Sequence, residues 1–180
     1  MADVLLLQLD GSIPNVALMR IAAHHRTLGD NIELRRAANE MALERGLFDH
    51  HDQVYASLIF ERSKPLAERL LQIYPDAIVG GTGWSLEHTL EDVGIVTQDQ
   101  DYSIYPRWGQ SIGFTQRGCR LKCGFCVVPR KEGRVGNIRS IHEIWRGGES
   151  PRQLLLLDND FFGSPAWRDR ISEIREGGFK

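Results

Sequence analysis

All three cysteines of the chain lie in one short segment, at Cys119, Cys123 and Cys126. Their spacing is C-x₃-C-x₂-C. An odd number of closely spaced cysteines argues against disulfide bonds. Thiolates are the usual protein ligands of iron–sulfur clusters, which normally take four. Three thiolates on one loop can therefore hold three irons of a [4Fe–4S] cluster and leave the fourth iron open. An open coordination position is where a bound metal does chemistry.

Two other interpretations of the cysteines stay open. The first is a zinc site made by the three cysteines and His142, and the second is a thioredoxin-like thiol pair of Cys123 and Cys126. A zinc site usually joins two arms of C-x₂-C type, and the sequence has no second arm. We therefore favour the cluster. The alternative function is a zinc- or cluster-binding interaction module without enzymatic activity.

The segment around the cysteines is strongly basic. From Arg117 to Arg139 the sequence has seven Lys and Arg residues and a single acid, Glu132, which gives this segment a charge of +6. The whole chain carries −2, so the remaining residues carry −8. Cations beside an anionic cluster favour its reduced state and can bind a ligand carboxylate. The simpler interpretation is a solvated surface loop.

The cysteine segment resembles the radical SAM superfamily. Its signature is C-x₃-C-x-aromatic-C in the loop after the first barrel strand, and Cys119, Cys123, Phe125 and Cys126 match every required position. The resemblance implies that the open iron binds S-adenosylmethionine, which one electron then cleaves to methionine and a 5′-deoxyadenosyl radical. It also implies that Phe125 packs near the adenine and that a flavodoxin or ferredoxin supplies the electron. The substrate, the reaction type and the catalytic residues are not implied.

Three polar residues are candidates for binding the amino group of S-adenosylmethionine. In the radical SAM family a Gly-Gly-Glu motif ends the second strand, but Gly147-Gly148-Glu149 here follows a predicted helix, where the glycines suit its C-terminus. The matching position is Asp158, Asn159 and Asp160, directly after the apolar strand predicted for 153–157. Their oxygens can accept hydrogen bonds from an ammonium group. The simpler interpretation is turn chemistry, which Asp and Asn also favour.

The elements that position this loop are predicted from apolar runs and helical periodicity. From residue 111 onwards the pattern predicts two strands, two helices and the start of a third strand, at 111–115, 138–145, 153–157, 165–175 and 179–180. At about 31 residues per βα unit, residues 104–180 hold roughly 2.5 units of a (β/α) barrel. We therefore expect 111–180 to be the start of an incomplete radical SAM barrel. The chain would then be a fragment, inactive alone, or one part of a split enzyme that a second polypeptide completes.

Residues 1–98 predict a separate α/β domain, joined by a linker at 99–110. Strands alternate with helices, which favours a small doubly wound parallel sheet of Rossmann-like or flavodoxin-like type. The strands are predicted at 4–9, 31–34, 54–60 and 77–79, and the helices at 14–28, 35–45 and 65–73. We expect Ser12 to cap the first helix. The histidines at 24–25 and 50–51 are interpreted as surface residues, since adjacent helical residues do not share a face.

This first domain resembles the cobalamin-binding (B12-binding) domain of B12-dependent radical SAM enzymes. Ser57-Leu58-Ile59 and Gly80-Gly81 match its Ser-x-Leu and Gly-Gly elements. Its Asp-x-His-x-x-Gly loop, however, is replaced by Asp10-Gly11-Ser12-Ile13-Pro14-Asn15, which has no histidine. Cobalamin is therefore a weaker expectation than a scaffold or substrate-docking role.

Composition excludes several other classes of protein. With 42% hydrophobic and 26% charged residues the chain is not a disordered polymer, and at −2 it is not a polycation. No apolar run approaches the ~20 residues of a membrane span. The first ten residues carry Asp3 where a secretory leader is basic. We therefore expect a cytoplasmic protein with no membrane partner.

Overall fold

A computed structural model describes residues 1–44, 46, 50–136 and 138–180. The chain divides into two compact units, Met1–Pro106 and Arg107–Lys180. The division falls within 99–110, which we interpret from the sequence as a linker. In the described part of the chain, no helix is long and apolar enough to cross a bilayer.

The first unit is a four-stranded, fully parallel sheet with helices between its strands. Its strand order is β2-β1-β3-β4, with β1 in the middle of the sheet beside β3. This confirms a mixed α/β fold, compatible with a Rossmann-like domain. The elements in chain order are β1 (Asp3–Gln8), α1 (Val16–Thr27), β2 (Asn31–Arg36), β3 (Gln53–Ser57), α2 (Lys64–Ile73) and β4 (Ile78–Gly80).

Residues 4–7 of β1 are all apolar because both faces of the sheet are covered there. Val4 and Leu6 pack with α1 on one face, whereas Leu5 and Leu7 pack with α2 on the other, and all four side chains are buried. Successive side chains of a strand point to opposite faces, so a doubly covered strand needs an uninterrupted apolar run. Burying each leucine contributes about 1.5–3 kcal/mol.

Two predicted helix features of the first unit are wrong. The cap of α1 is Asn15 and not Ser12, because the Asn15 side chain accepts from the backbone N–H groups of Ala17 (3.0 Å) and Leu18 (3.2 Å). The helix predicted at 35–45 is absent from the described part of that range, which excludes residue 45. Instead β2 extends to Arg36, opposite Gln8 of β1, and a short 3₁₀ turn follows at Glu40–Leu43. Pairing with the central strand overrides the local helical pattern.

Two histidines are buried, which corrects their interpretation as surface residues. His25 is only 3% exposed, and its ring nitrogens lie 2.9 Å from Asp30 Oδ2 and 3.2 Å from Tyr55 Oη. The backbone N–H of Ala2 and the His25 ring both lower the pKa of Asp30. The His51 side chain is also buried, with Nε2 3.3 Å from Glu33 Oε2. The residues that contact His25 and His51 belong to other segments of the chain, so the helical pattern alone could not predict that these histidines are buried.

The second unit has two parallel strands, β5 (Ser111–Gly113) and β6 (Leu154–Leu156). Its helices are α3 (Val128–Lys131), α4 (Ile141–Ile144) and α5 (Trp167–Glu176). Helix α4 begins later than predicted because Ser140 and Glu143 form a capping box. The backbone of Lys180 donates to Arg152 and accepts from Leu154, each at 2.8 Å, which continues the parallel pairing beside β6. The barrel itself stays a prediction.

Candidate metal and ligand site

The cysteine loop and the polar residues 158–160 meet at one edge of the second unit. Because β5 and β6 are parallel, the segments that follow them emerge on the same side of the sheet, where ligands bind in such folds. The Cys119 thiol accordingly lies 3.8 Å from Asp160 Oδ2, although 41 residues separate them in sequence. The structure thus places one predicted cluster ligand beside one predicted ligand-binding acid.

Asp158 joins the ends of the two strands through one of its oxygens. Its Oδ1 accepts from Thr115 Oγ1 (2.9 Å) and from the backbone N–H of Gln116 (2.8 Å). Its Oδ2 is buried, and no described residue donates to it. Burial raises the pKa of Asp158, and the two hydrogen bonds oppose that rise. Asp158 therefore has a free acceptor at the edge where a ligand is expected.

Gln116 presents a second free acceptor at this edge, and the sequence did not single it out. The residue is fully buried, its Nε2 donates to the Asp160 carbonyl, and its Oε1 accepts from no described residue. Buried acceptors without a donor are uncommon and costly, and they often mark an absent ligand or water. The available signal was its position, directly after a predicted strand.

The other two residues of 158–160, Asn159 and Asp160, are paired within the unit. Asp160 Oδ2 lies 3.1 Å from Arg120 Nε and 3.4 Å from the Arg120 backbone nitrogen. Asn159 is exposed, and its Nδ2 donates to Glu132 Oε2 at 3.1 Å. Of the three predicted ligand-binding residues, Asp158 alone keeps an unpartnered buried oxygen.

The three thiols are unpaired but do not converge. Cys119 and Cys126 are half-buried and Cys123 is exposed. Within the described ranges, no three His, Cys, Asp or Glu side chains lie close enough together to hold a metal ion. His142, the fourth ligand of the zinc interpretation, stacks edge-on against Phe179 with ring centres 5.6 Å apart. The donor set still fits an iron–sulfur cluster chemically, because three free cysteines share one exposed loop.

The base of the cysteine loop is held by backbone contacts, whereas its tip is exposed. Arg117 and Gly136 exchange two backbone hydrogen bonds, at 2.9 and 3.0 Å, and the Cys119 N–H donates to the Gly133 carbonyl at 3.3 Å. Gly118 has a φ of +82°, and a Cβ there would lie 2.3 Å from the Arg134 carbonyl oxygen. Phe125, at the tip, is 94% exposed. Closing the thiols around a metal therefore requires movement of the tip.

A basic cavity of about 510 Å³ opens beside Cys119. Its lining includes Lys122 and Arg134, which are both exposed, and Arg120, which is paired with Asp160. Burial lowers the pKa of Lys131 in the same segment, and the nearby Arg117 guanidinium lowers it further. The exposed cations Lys122 and Arg134 favour an anionic group in the cavity.

The residues that resemble a cobalamin site are engaged within the first unit, so the fit to that cofactor is poor. The Asp10 carboxylate accepts from the backbone N–H groups of Ile59 (2.8 Å) and Phe60 (2.9 Å). The Ser57 hydroxyl accepts from Asn15 Nδ2 at 2.9 Å. Gly81 lies so close to the Leu58 backbone that a Cβ would be 2.1 Å from the Leu58 oxygen. Cobalamin takes no part in the function proposed below.

Replacing Asp158 by asparagine is expected to stabilise the metal-free chain at neutral pH. Because the folded-state pKa of Asp158 is raised above its ordinary 3.8, the folded chain loses stability as the pH rises through that raised value. The Asp158→Asn variant has no carboxylate to ionise and so does not lose this stability. Its free energy of unfolding should exceed that of the wild type at pH 7, and the difference should disappear below pH 3.8. Urea unfolding at both pH values measures it.

The control for this prediction is Asp169→Asn, which changes an exposed carboxylate on α5. It should show no such pH-dependent gain. An Asp158→Asn chain less stable than the wild type at pH 7 would contradict the prediction.

No family model, curated protein or solved structure matches this chain.

Proposed function

We propose that this chain is a cytoplasmic radical SAM protein, in which Cys119, Cys123 and Cys126 hold a [4Fe–4S] cluster that binds S-adenosylmethionine. The observation that carries the proposal is a juxtaposition at the β5–β6 edge. The C-x₃-C-x₂-C loop follows β5, and the two unpartnered buried acceptors, Asp158 Oδ2 and Gln116 Oε1, lie where it begins. When bound, such a cluster supplies the single electron that cleaves the sulfonium of S-adenosylmethionine. A cytoplasmic location suits three thiols that must stay reduced.

The residues of this edge match the polar groups of S-adenosylmethionine. The free oxygens of Asp158 and Gln116 accept hydrogen bonds from its ammonium group, which removes the cost of leaving them unpaired. The exposed cations Lys122 and Arg134 attract its carboxylate into the cavity beside Cys119. Phe125 is exposed at the loop tip, and it gains apolar contact if the tip closes over the adenine. Asn159 is assigned to the loop and not to the ligand, because its amide binds Glu132.

The proposal includes an external redox partner. The electron comes from an external donor such as a flavodoxin or ferredoxin. The proposal assigns no substrate.

Anaerobic reconstitution with iron and sulfide tests the proposed function. The reconstituted chain should bind close to four irons, and its reduced cluster should give an EPR signal that S-adenosylmethionine changes. Asp158→Asn should raise the S-adenosylmethionine concentration that gives half of this change about tenfold, because it removes one acceptor from an ammonium group. Asp169→Asn is the matched control and should leave that concentration unchanged.

Binding of one zinc and no iron would overturn the proposal and favour the interaction module. An iron cluster whose EPR signal ignores S-adenosylmethionine would retain the metal site and remove the ligand assignment.

A further inference from the structure

Glu132 is the sole acid among the residues from 117 to 139, and it is largely buried there. Its side chain is only 13% exposed, in a segment that carries seven cations. A carboxylate loses hydration on burial, and this cost must be offset by charge pairing and hydrogen bonds. The position of Glu132 therefore requires partners, and those partners show what the residue holds together.

The Glu132 carboxylate binds three groups from two separate segments. Its Oε1 lies 2.5 Å from Arg117 Nη2, and its Oε2 accepts from the Gly118 backbone N–H at 2.9 Å. Oε2 also accepts from Asn159 Nδ2 at 3.1 Å. Arg117 and Gly118 begin the cysteine loop after β5, whereas Asn159 belongs to the turn after β6. One side chain thus ties the start of the loop to the neighbouring strand end.

These contacts restrain Cys119 in two ways, through the preceding residue Gly118 and through Asp160 beside its thiol. Gly118 directly precedes Cys119 in the chain. Asn159 directly precedes Asp160, whose Oδ2 lies 3.8 Å from the Cys119 thiol and 3.1 Å from Arg120 Nε. Cys123 is exposed and lies further along the loop. The structure therefore shows a cysteine loop that is fixed at Cys119 and open at Cys123.

We propose that Glu132 is a positioning residue that holds Cys119 in place before the metal arrives and keeps it there afterwards. Fixing one ligand in advance reduces the conformational entropy lost when the other two close around the metal. The part of this inference that concerns the metal rests on the proposed function. The part that concerns Cys119 does not, because every contact behind it is made between this chain's own residues.

Thiol labelling of the metal-free chain tests the second part directly. Labelling with a neutral alkylating reagent, followed residue by residue by mass spectrometry, gives a separate rate for each cysteine. In Glu132→Gln the rate at Cys119 should rise about tenfold, the effect expected when a charge-assisted hydrogen bond is lost, while the rate at exposed Cys123 stays unchanged. Glu149→Gln, on an exposed carboxylate, is the matched control.

A second variant separates positioning from a simple change of charge. Asn159→Ala removes one hydrogen bond to Glu132 and alters no charge. It should raise the Cys119 rate by a smaller factor than Glu132→Gln does. A Cys119 rate equal to wild type in both variants would overturn the proposal. So would an equal rise at all three cysteines, since that would indicate general unfolding of the unit.

Iron release tests the metal-dependent part. After reconstitution, transfer of iron to a chelator should be about tenfold faster in Glu132→Gln than in wild type, as for other residues that orient metal ligands. Wild-type release rates in this variant would refute the role of Glu132 toward the metal. If the wild-type chain itself takes up no iron, the proposed function fails, and the labelling rates still decide whether Glu132 holds Cys119.

Discussion

The Cys123→Ala chain is expected to retain less than about a tenth of the iron that the wild type binds on reconstitution. A cluster normally uses four protein ligands, and with three cysteines here the loss of one leaves two. Cys123 is exposed, so its replacement should leave the metal-free fold intact. Iron analysis and the visible absorption of the reconstituted protein measure the loss, and far-ultraviolet circular dichroism of the metal-free variant checks the fold.

Lys122→Ala is the matched control for this variant. Lys122 is the adjacent exposed residue in the same loop, and it supplies no thiolate, so iron binding should be retained. Full iron binding by Cys123→Ala would remove the ligand assignment.

Replacement of Cys119 by alanine then separates the cluster from a thioredoxin-like pair. A cluster held by three thiolates requires Cys119 as much as Cys123. A redox pair requires only Cys123 and Cys126. Loss of iron in both variants supports the cluster, whereas a reversible Cys123–Cys126 disulfide in the Cys119→Ala chain would favour the pair.

The first unit shows which parts of a fold are encoded locally. The largely apolar segment 4–9 predicted a buried strand, and the structure confirms a strand at Asp3–Gln8, because a strand covered on both faces needs an apolar run. The segment from Arg35 also matched a helical pattern. There the parallel pairing of Arg35 with Leu7 and of Arg36 with Gln8 prevails, and these partners lie far away in sequence. Local periodicity cannot report a competing partner of that kind.

The sequence likewise revealed only those residues of the candidate site that can be recognised from the local pattern. Residue type and spacing singled out the cysteines. The resemblance to the radical SAM family, together with a position directly after a predicted strand, singled out Asp158, Asn159 and Asp160. Gln116 and Glu132 were not identified. Their significance depends on partners such as Asp160 and Asn159, which lie 44 and 27 residues away from them. The role of Asn159 changed for the same reason, since its partner Glu132 is not visible in the local pattern.

The same reasoning applies to the two glycines at the end of β4, Gly80 and Gly81, which resemble a ligand-binding element in sequence. Gly81 has a φ of +99°, and a Cβ on it would lie 2.1 Å from the Leu58 carbonyl oxygen. That oxygen cannot retreat easily, because it accepts from the Gly83 N–H at 3.2 Å, while the Leu58 N–H donates to the Gly80 carbonyl at 3.1 Å. Gly80 differs, since a Cβ there would meet nothing within 4 Å.

The Gly81→Ala variant should therefore lose roughly 3 kcal/mol or more in free energy of unfolding, from the clash and from the left-handed backbone together. Gly80→Ala is the matched control, and it should stay within about 0.5 kcal/mol of wild type because space and backbone both accept a methyl group. Urea unfolding followed by tryptophan fluorescence measures both, since Trp84 packs against the core of this unit.

This pair of variants decides what the glycines are for. If they are present to admit a ligand, an added methyl group at either position should reduce ligand binding and change stability little. If Gly81 is present because the chain crosses its own backbone at Leu58, only Gly81→Ala should destabilise the unit. Equal stability of the two variants would contradict the close approach. The structure favours the second alternative, in which the first unit uses Gly81 to close its own fold.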